Sequence, residues 1–252
     1  MWINLLFVVL LNAIPLYGVR FHGWSGSTVV VLYWFENLLV AVFTCALIAL
    51  HRQLTRKRGH WRPGQLGTQV NGKPSTRGLL GEYASLAFVF TAAHGIFVWF
   101  FVNAHFAEAA EAPFWEFSPE QATNGARAIA FTLATQFVLT AASVRARSFA
   151  WLKEYVQQRS SRVLVMHLTI IFGMFCMMLS HSALAVLYVL MALKTGWELL
   201  AVARVATTSA SDSQVSAGAP AATGARRGRA GVSVAAAQER GNALEDEEVL
   251  PA

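Results

Sequence analysis

The sequence predicts an all-α membrane protein: a bundle of about six transmembrane helices, both termini inside, with a disordered C-terminal tail. Three observations carry this reading. The chain of 252 residues is 55% hydrophobic and only 13% charged, more apolar surface than a soluble domain hides. Its apolar residues collect in runs near the roughly 20 residues needed to cross a hydrocarbon core about 30 Å thick. Its basic residues fall between those runs, concentrated on one side. Because the runs lack strand alternation, they are read as helices, which pair every backbone N–H and C=O within lipid.

Six candidate spans lie near 2–19, 27–50, 79–102, 127–144, 163–180 and 183–203. The first, MWINLLFVVLLNAIPLYG, has neither the basic n-region nor the small-x-small site of a signal peptide and reads as a span, although Asn4, Asn12 and Pro15 interrupt it. The second contains VVVLYWFENLLVAVF, with Glu36 and Asn37 in its middle. In the third, His94 is followed about three turns later by His105 at the outer rim. Thr132, Gln136, Thr140 and Ser143 form a polar stripe along the fourth. The simpler reading of that stripe is hydroxyls bonded back to their own backbone in a helix contact; the sharper one is the wall of a hydrated cavity. His167 and His181 bracket the fifth span, and Lys194 and Glu198 lie in the sixth. Cys45 and Cys176 each fall deep inside a span, so no disulfide is expected.

Charge sets the orientation. Residues 51–78 carry seven Lys or Arg and no acid, and 145–162 add Arg145, Arg147, Lys153, Arg159 and Arg162 against Glu154 alone. Residues 104–126 have no Lys or Arg but carry Glu108, Glu111, Glu116 and Glu120. Basic loops stay cytoplasmic, which puts a multi-pass protein in the inner (cytoplasmic) membrane of a cell. The net charge of +6 then follows from topology and from attraction to anionic lipid headgroups. The clusters flank spans and form no nucleic-acid reading module, so no nucleic-acid partner is expected. A homo-oligomer or a membrane partner subunit is compatible with the pattern. From residue 204 the composition turns to Ala, Ser, Gly and Arg, with RRGR at 226–229 and EDEE at 245–248. Such a tail has too little apolar surface to offset its ordering entropy.

The candidate site is a shared level within the bundle. On a rise of about 1.5 Å per residue, Glu36 lies roughly 14 Å and His94 roughly 13 Å below the outer ends of their spans. Asn12 comes out slightly shallower and Lys194 slightly deeper. A charged side chain at this depth costs about 2.5–3.5 kcal/mol on insertion scales and faces the bundle interior, paired or wetted. Glu36 should therefore point inward, either ionised against Lys194 or a protonated His94, or neutral, with Asn37 supplying donors and acceptors. The blander reading of Glu36, Asn37 and a cation is interhelical glue, and Lys194 has a local alternative in Glu198 one turn on. Asn12, Glu36, Asn37, His94 and Lys194 form the candidate site; His105, Gln136 and Glu198 are secondary positions.

No metal or cofactor is expected, since a rise of about 16 Å separates His94 from His105 and no metal-binding spacing occurs. GWSG at 23–26 matches the G-x-S-G of rhomboid-type proteases, but Ser25 lies in a turn and the sixth span has no histidine. With no nucleophile or metal set, the residues lean away from an enzyme.

The YWFEN stretch (33–37), the histidine-bearing third span and KTGWE (194–198) resemble a family of prokaryotic polytopic integral membrane proteins of unknown function. The resemblance covers about residues 1–203 and implies location and architecture without an activity. Two functions follow. One is a small transporter or proton-linked carrier using the Glu/His/Lys site, against which the lack of an inverted repeat counts. The other is a non-catalytic scaffold or accessory subunit whose polar cluster is structural.

Overall fold

Helix α2 is the element around which the others are arranged, and its sequence shows why. In the computed structural model α2 runs Gly26–Thr55. Its buried positions Val29, Tyr33, Glu36, Val40, Thr44, Leu47 and His51 recur at spacings of three and four, which places them on one face of a helix. Helices α3 (Leu79–Asn103) and α4 (Pro119–Val144) pack against α2, and α1 (Trp2–His22) packs mainly against α4. Described residues are 2–67, 69–70, 73–103, 117–160, 192–193, 195–196, 241–242 and 244–250. The predicted spans near 163–180 and 183–203 lie outside them, apart from helical residues at 192–193 and 195–196.

The described residues are helical but for a two-residue antiparallel ladder, β1 (Gln69–Val70) with β2 (Lys73–Pro74), and one isolated bridge, Lys57 with Val249. Among the described residues three helices, α2, α3 and α4, are long and apolar enough to cross a membrane. At 30 residues, α2 is about 45 Å long, more than a hydrocarbon core about 30 Å thick requires. Its last turns, with His51 and Arg52, are the surplus.

Local chemistry fixes the ends. Gly23 takes the left-handed conformation (φ 60°), and the Trp24 N–H donates to the Gly18 carbonyl at 3.1 Å. The Trp24 ring lies so close to Gly18 that a Cβ there would sit 2.1 Å from it. Ser25 caps α2 by accepting the Thr28 N–H at 3.2 Å. Ser118 caps α4, with Pro119 as its first helical residue. This cap starts α4 eight residues earlier than the expected 127, since polar residues 119–126 make a capped first turn that hydropathy does not detect. The Ser25 N–H donates to Gln121 Oε1 at 3.3 Å, tying the two caps together.

Two apolar clusters fill the bundle. Toward the starts of α2 and α4, Leu11, Leu32, Val40, Ile129 and Leu133 join α1, α2 and α4. At the opposite end Leu47, Ile48, Leu79, Tyr83, Val144 and Phe149 join α2, α3 and α4 to a further helical segment, α5 (149–160). The loop reading of 145–162 is corrected here. Ser148 accepts the Trp151 N–H at 3.1 Å as an N-cap, and Phe149, Leu152 and Val156 make a buried face at spacings of three and four. Facing outward are Phe88, Ile96, Trp99, Phe131, Val138 and Leu139, all exposed. At most 33% of any one of the three apolar stretches is buried. Such a rim is unfavourable in water and compatible with lipid.

Candidate functional site

Glu36 lies on the buried stripe of α2 between Tyr33 and Val40 and is 1% exposed, so its carboxyl is turned into the bundle. Its level relative to α3 is fixed by Trp34, whose indole Nε1–H donates to the Thr91 carbonyl at 3.0 Å. The same ring fits over Gly95, where an added Cβ would lie 3.1 Å from Nε1. Residues 91–95 of α3, His94 among them, therefore share the level of Trp34 and lie within about a turn of Glu36.

The other sequence-predicted polar groups bond within their own helices. Asn12 Nδ2 donates to the Val8 carbonyl (2.8 Å), Asn37 Nδ2 to that of Tyr33 (3.0 Å), and His94 Nδ1 to that of Phe90 (2.7 Å). Because that acceptor is a carbonyl, His94 Nδ1 must carry the proton. The α4 stripe behaves likewise. Thr132, Thr140 and Ser143 donate to the carbonyls of Ala128, Gln136 and Thr140, and Gln136 is half-buried. Lys194, His105 and Glu198 lie outside the described residues.

The buried stripe also carries polar residues that hydropathy did not single out. Counting by three and four from Glu36 reaches Tyr33, Thr44 and His51, so the signal was present in the spacing. Among these, His51 belongs to a second polar centre at the basic end. His51 Nε2 donates to the Arg147 carbonyl at 3.2 Å, which leaves Nδ1 as the acceptor of the neutral ring. His60 Nε2 lies 2.7 Å from that Nδ1 and must donate to it. His60 Nδ1 is then a bare lone pair, buried and without a hydrogen-bond partner among the described residues. Burial first, then the neighbouring His51, Arg52 and Lys57, push the His60 imidazole down to about 3. Phe149 closes the pair, its ring edge-on to His60 at 5.0 Å.

Glu82, at the start of α3 and 2% exposed, accepts the Gly64 N–H at 2.6 Å and the Leu66 N–H at 2.8 Å, which organises the loop before α3. That loop bears Arg62 and Gln65, and both meet the C-terminal segment. Composition had assigned residues 204–252 to a disordered tail, yet 244–247 form a helical turn and Val249 bridges Lys57 in antiparallel fashion. Arg58 N–H donates to the Glu248 carbonyl (2.7 Å) and Leu250 N–H to that of Arg56 (3.0 Å). Lys57 pairs with Glu247, Arg58 with Glu248 (2.9 Å), and Arg62 with Asp246 (3.1 Å) and Glu245 (3.4 Å). Opposite charge held against a backbone ladder outweighs the low apolar content here. Partial burial works to raise the Glu247 carboxyl, but hydrogen bonds from Lys57 and the Ala150 N–H prevail and hold it below the ordinary carboxylate range.

Fold and composition define the class: an all-helical protein with, among its described residues, three helices long and apolar enough to cross a membrane. Residues 1–215 match a family of unknown function, DUF6498, and the chain belongs to that family. No curated protein and no solved structure matches it.

Proposed function

We propose that the chain is a small proton-linked carrier of the prokaryotic cytoplasmic membrane, with Glu36 as the group that takes up and releases the proton. What supports this is one observation, a carboxyl 1% exposed on the central face of a helix long and apolar enough to span. Asn, His and Thr side chains can donate to a carbonyl of their own helix. An ionised carboxylate has acceptors only, so it must be met by another element, and on protonation it gains a donor of its own. A change of protonation therefore changes its partners, which gives a carrier two states. In this reading His94 relays the proton and Lys194, which the sequence puts near the same depth, balances the charge.

The test needs no substrate. In the reconstituted protein, infrared difference spectra from about pH 9 to about pH 5, the range histidine-linked switches use, should contain a protonated-carboxyl band that Glu36→Gln removes. A spectrum in which that band is missing from the wild type, or survives in the variant, overturns the carrier.

A second reading, a non-catalytic scaffold or accessory subunit, draws support from the internal bonding of Asn12, Asn37 and His94. Under it, Glu36→Gln lowers stability by about 1 kcal/mol or more and alters no proton-linked signal.

A further inference from the structure

The acidic segment at 245–248 occupies a cationic site, held partly by sheltered contacts (Lys57–Glu247, Arg62–Asp246) and partly by exposed ones. Lys57, Arg58 and Arg62 come from the loop after α2, while the Ala150 N–H comes from the first turn of α5 and donates to Glu247 Oε1 at 3.1 Å. One cation, Lys57, and a helix N-terminus thus converge on the Glu247 carboxylate, while Arg58 and Arg62 hold the acids on either side of it. A carboxylate held by Lys and a helix N–H stands where a phosphate oxygen would be held in the same way. Arg145 and Arg147, both exposed, add charge beside it. Yet the Arg58–Glu248 pair is 50% and 58% exposed, and Arg62 and Glu245 are 32% and 57% exposed. Exposed pairs contribute little and are screened by salt, so a denser anionic surface can replace this occupant.

The family boundary separates the two halves of the contact. Lys57, Arg58, Arg62 and Ala150 lie within the matched residues 1–215, and the acidic segment lies beyond them. The cationic end lies within the residues that match the family, and its cover lies outside them.

We propose that the end of the bundle built from Lys57, Arg58, Arg62 and the α5 N-terminus is a binding site for the phosphate of anionic lipid headgroups. Residues 245–248 are its tethered competitor. Lipid is the fitting source of phosphate because these residues continue directly from the end of α2, at the level where the cytoplasmic leaflet presents negative potential. In zwitterionic surroundings the segment stays docked; in an anionic leaflet it yields the cations to headgroups and is released. This rests on the membrane placement proposed above and is independent of any role for Glu36. Stable incorporation into discs tests the placement separately.

The experiment is amide hydrogen exchange on the full chain in nanodiscs of phosphatidylcholine, with and without phosphatidylglycerol. The Arg58, Ala150 and Leu250 amides report docking directly, since the first two donate to the segment and Leu250, two residues beyond it, donates to the Arg56 carbonyl. Anionic lipid should speed their exchange by about tenfold or more and leave the α2 and α4 interior unchanged. Replacing Glu245, Glu247 and Glu248 by Gln and Asp246 by Asn should give the fast rates in both lipids. Unchanged protection in anionic discs overturns the proposal, as does a variant that stays protected. Release by inorganic phosphate in phosphatidylcholine discs, to the extent seen with anionic lipid, overturns the lipid assignment in favour of a soluble phosphate.

Discussion

Replacing Glu82 by Gln tests whether the loop between α2 and α3 is organised by one buried carboxylate. The two carboxylate oxygens accept separate backbone N–H groups, from Gly64 at 2.6 Å and Leu66 at 2.8 Å, and the residue is 2% exposed. Glutamine retains one acceptor oxygen, so one of the two N–H groups would face an amide NH2. A hydrogen bond to a charged group contributes about 1.5–3 kcal/mol, and a stranded buried donor costs about 1–3 kcal/mol. Gly64 and Leu66 are only half-buried, and water reaching the freed donor offsets part of the loss. The expected cost is therefore about 2 kcal/mol, or roughly a 30-fold rise in local opening at about 1.4 kcal/mol per decade. Amide exchange in detergent measures this directly at Gly64 and Leu66. Because the loop also carries Arg62 and Gln65, which meet Asp246, the Leu250 amide should speed up with it. Unchanged exchange at Gly64 and Leu66 would show that the turn holds its shape without the carboxylate, and the reasoning would fail.

Gly125→Ala should lower thermal stability in detergent by about 1–3 kcal/mol, the cost of overpacking, because the new Cβ would lie 2.5 Å from Leu32 Cδ1 and 2.8 Å from Trp24. An unaltered melting curve would mean that α4 does not approach α2 this closely. Acidification should loosen the loop at His60, whose imidazole is held near 3 against an ordinary 6.5. The unfolded chain binds the proton first, so stability is complete above about pH 6.5 and falls by about 1.4 kcal/mol by about pH 5.5. His60→Gln should flatten that slope, and an equal slope in both proteins would refute the assignment. Glu247 contributes in the same direction at lower pH, its contact being present above its ordinary value of 4.5 and lost as its own lower value is passed.

The bundle was legible in the sequence wherever hydropathy alone decides structure. The starts of α1 and α3 and the end of α4 fall at or within a residue of the expected bounds, because apolar runs flanked by charge leave little choice. Structure made by polar chemistry was missed. The first turn of α4 depends on the Ser118–Pro119 cap, α5 on Ser148 and a short apolar face, and docking of residues 244–250 on charge far away in the chain. None of these has a hydropathy signature. The inward direction of Glu36 was legible, since lipid exposure of a carboxyl is costly. Depth places Asn12, Asn37 and His94 near one level, and each lies four residues from a carbonyl of its own helix to which it is bonded.

That internal bonding sharpens the status of Glu36. In a helix inside lipid, a polar side chain with a donor has a local solution in the carbonyl one turn back, already an acceptor with a spare lone pair. Thr132, Thr140, Asn12, Asn37 and His94 all take it. A carboxylate is excluded from this solution while ionised and admitted to it when protonated. Protonation is therefore the one change that would let Glu36 disengage from other elements without leaving a buried charge behind. A purely structural role rests on the hydrogen bonds of the carboxyl itself, so glutamine there lowers stability by about 1 kcal/mol or more and alters no proton-linked signal. The comparison of Glu36 with Glu36→Gln thus separates a group kept for its proton from one kept for its shape.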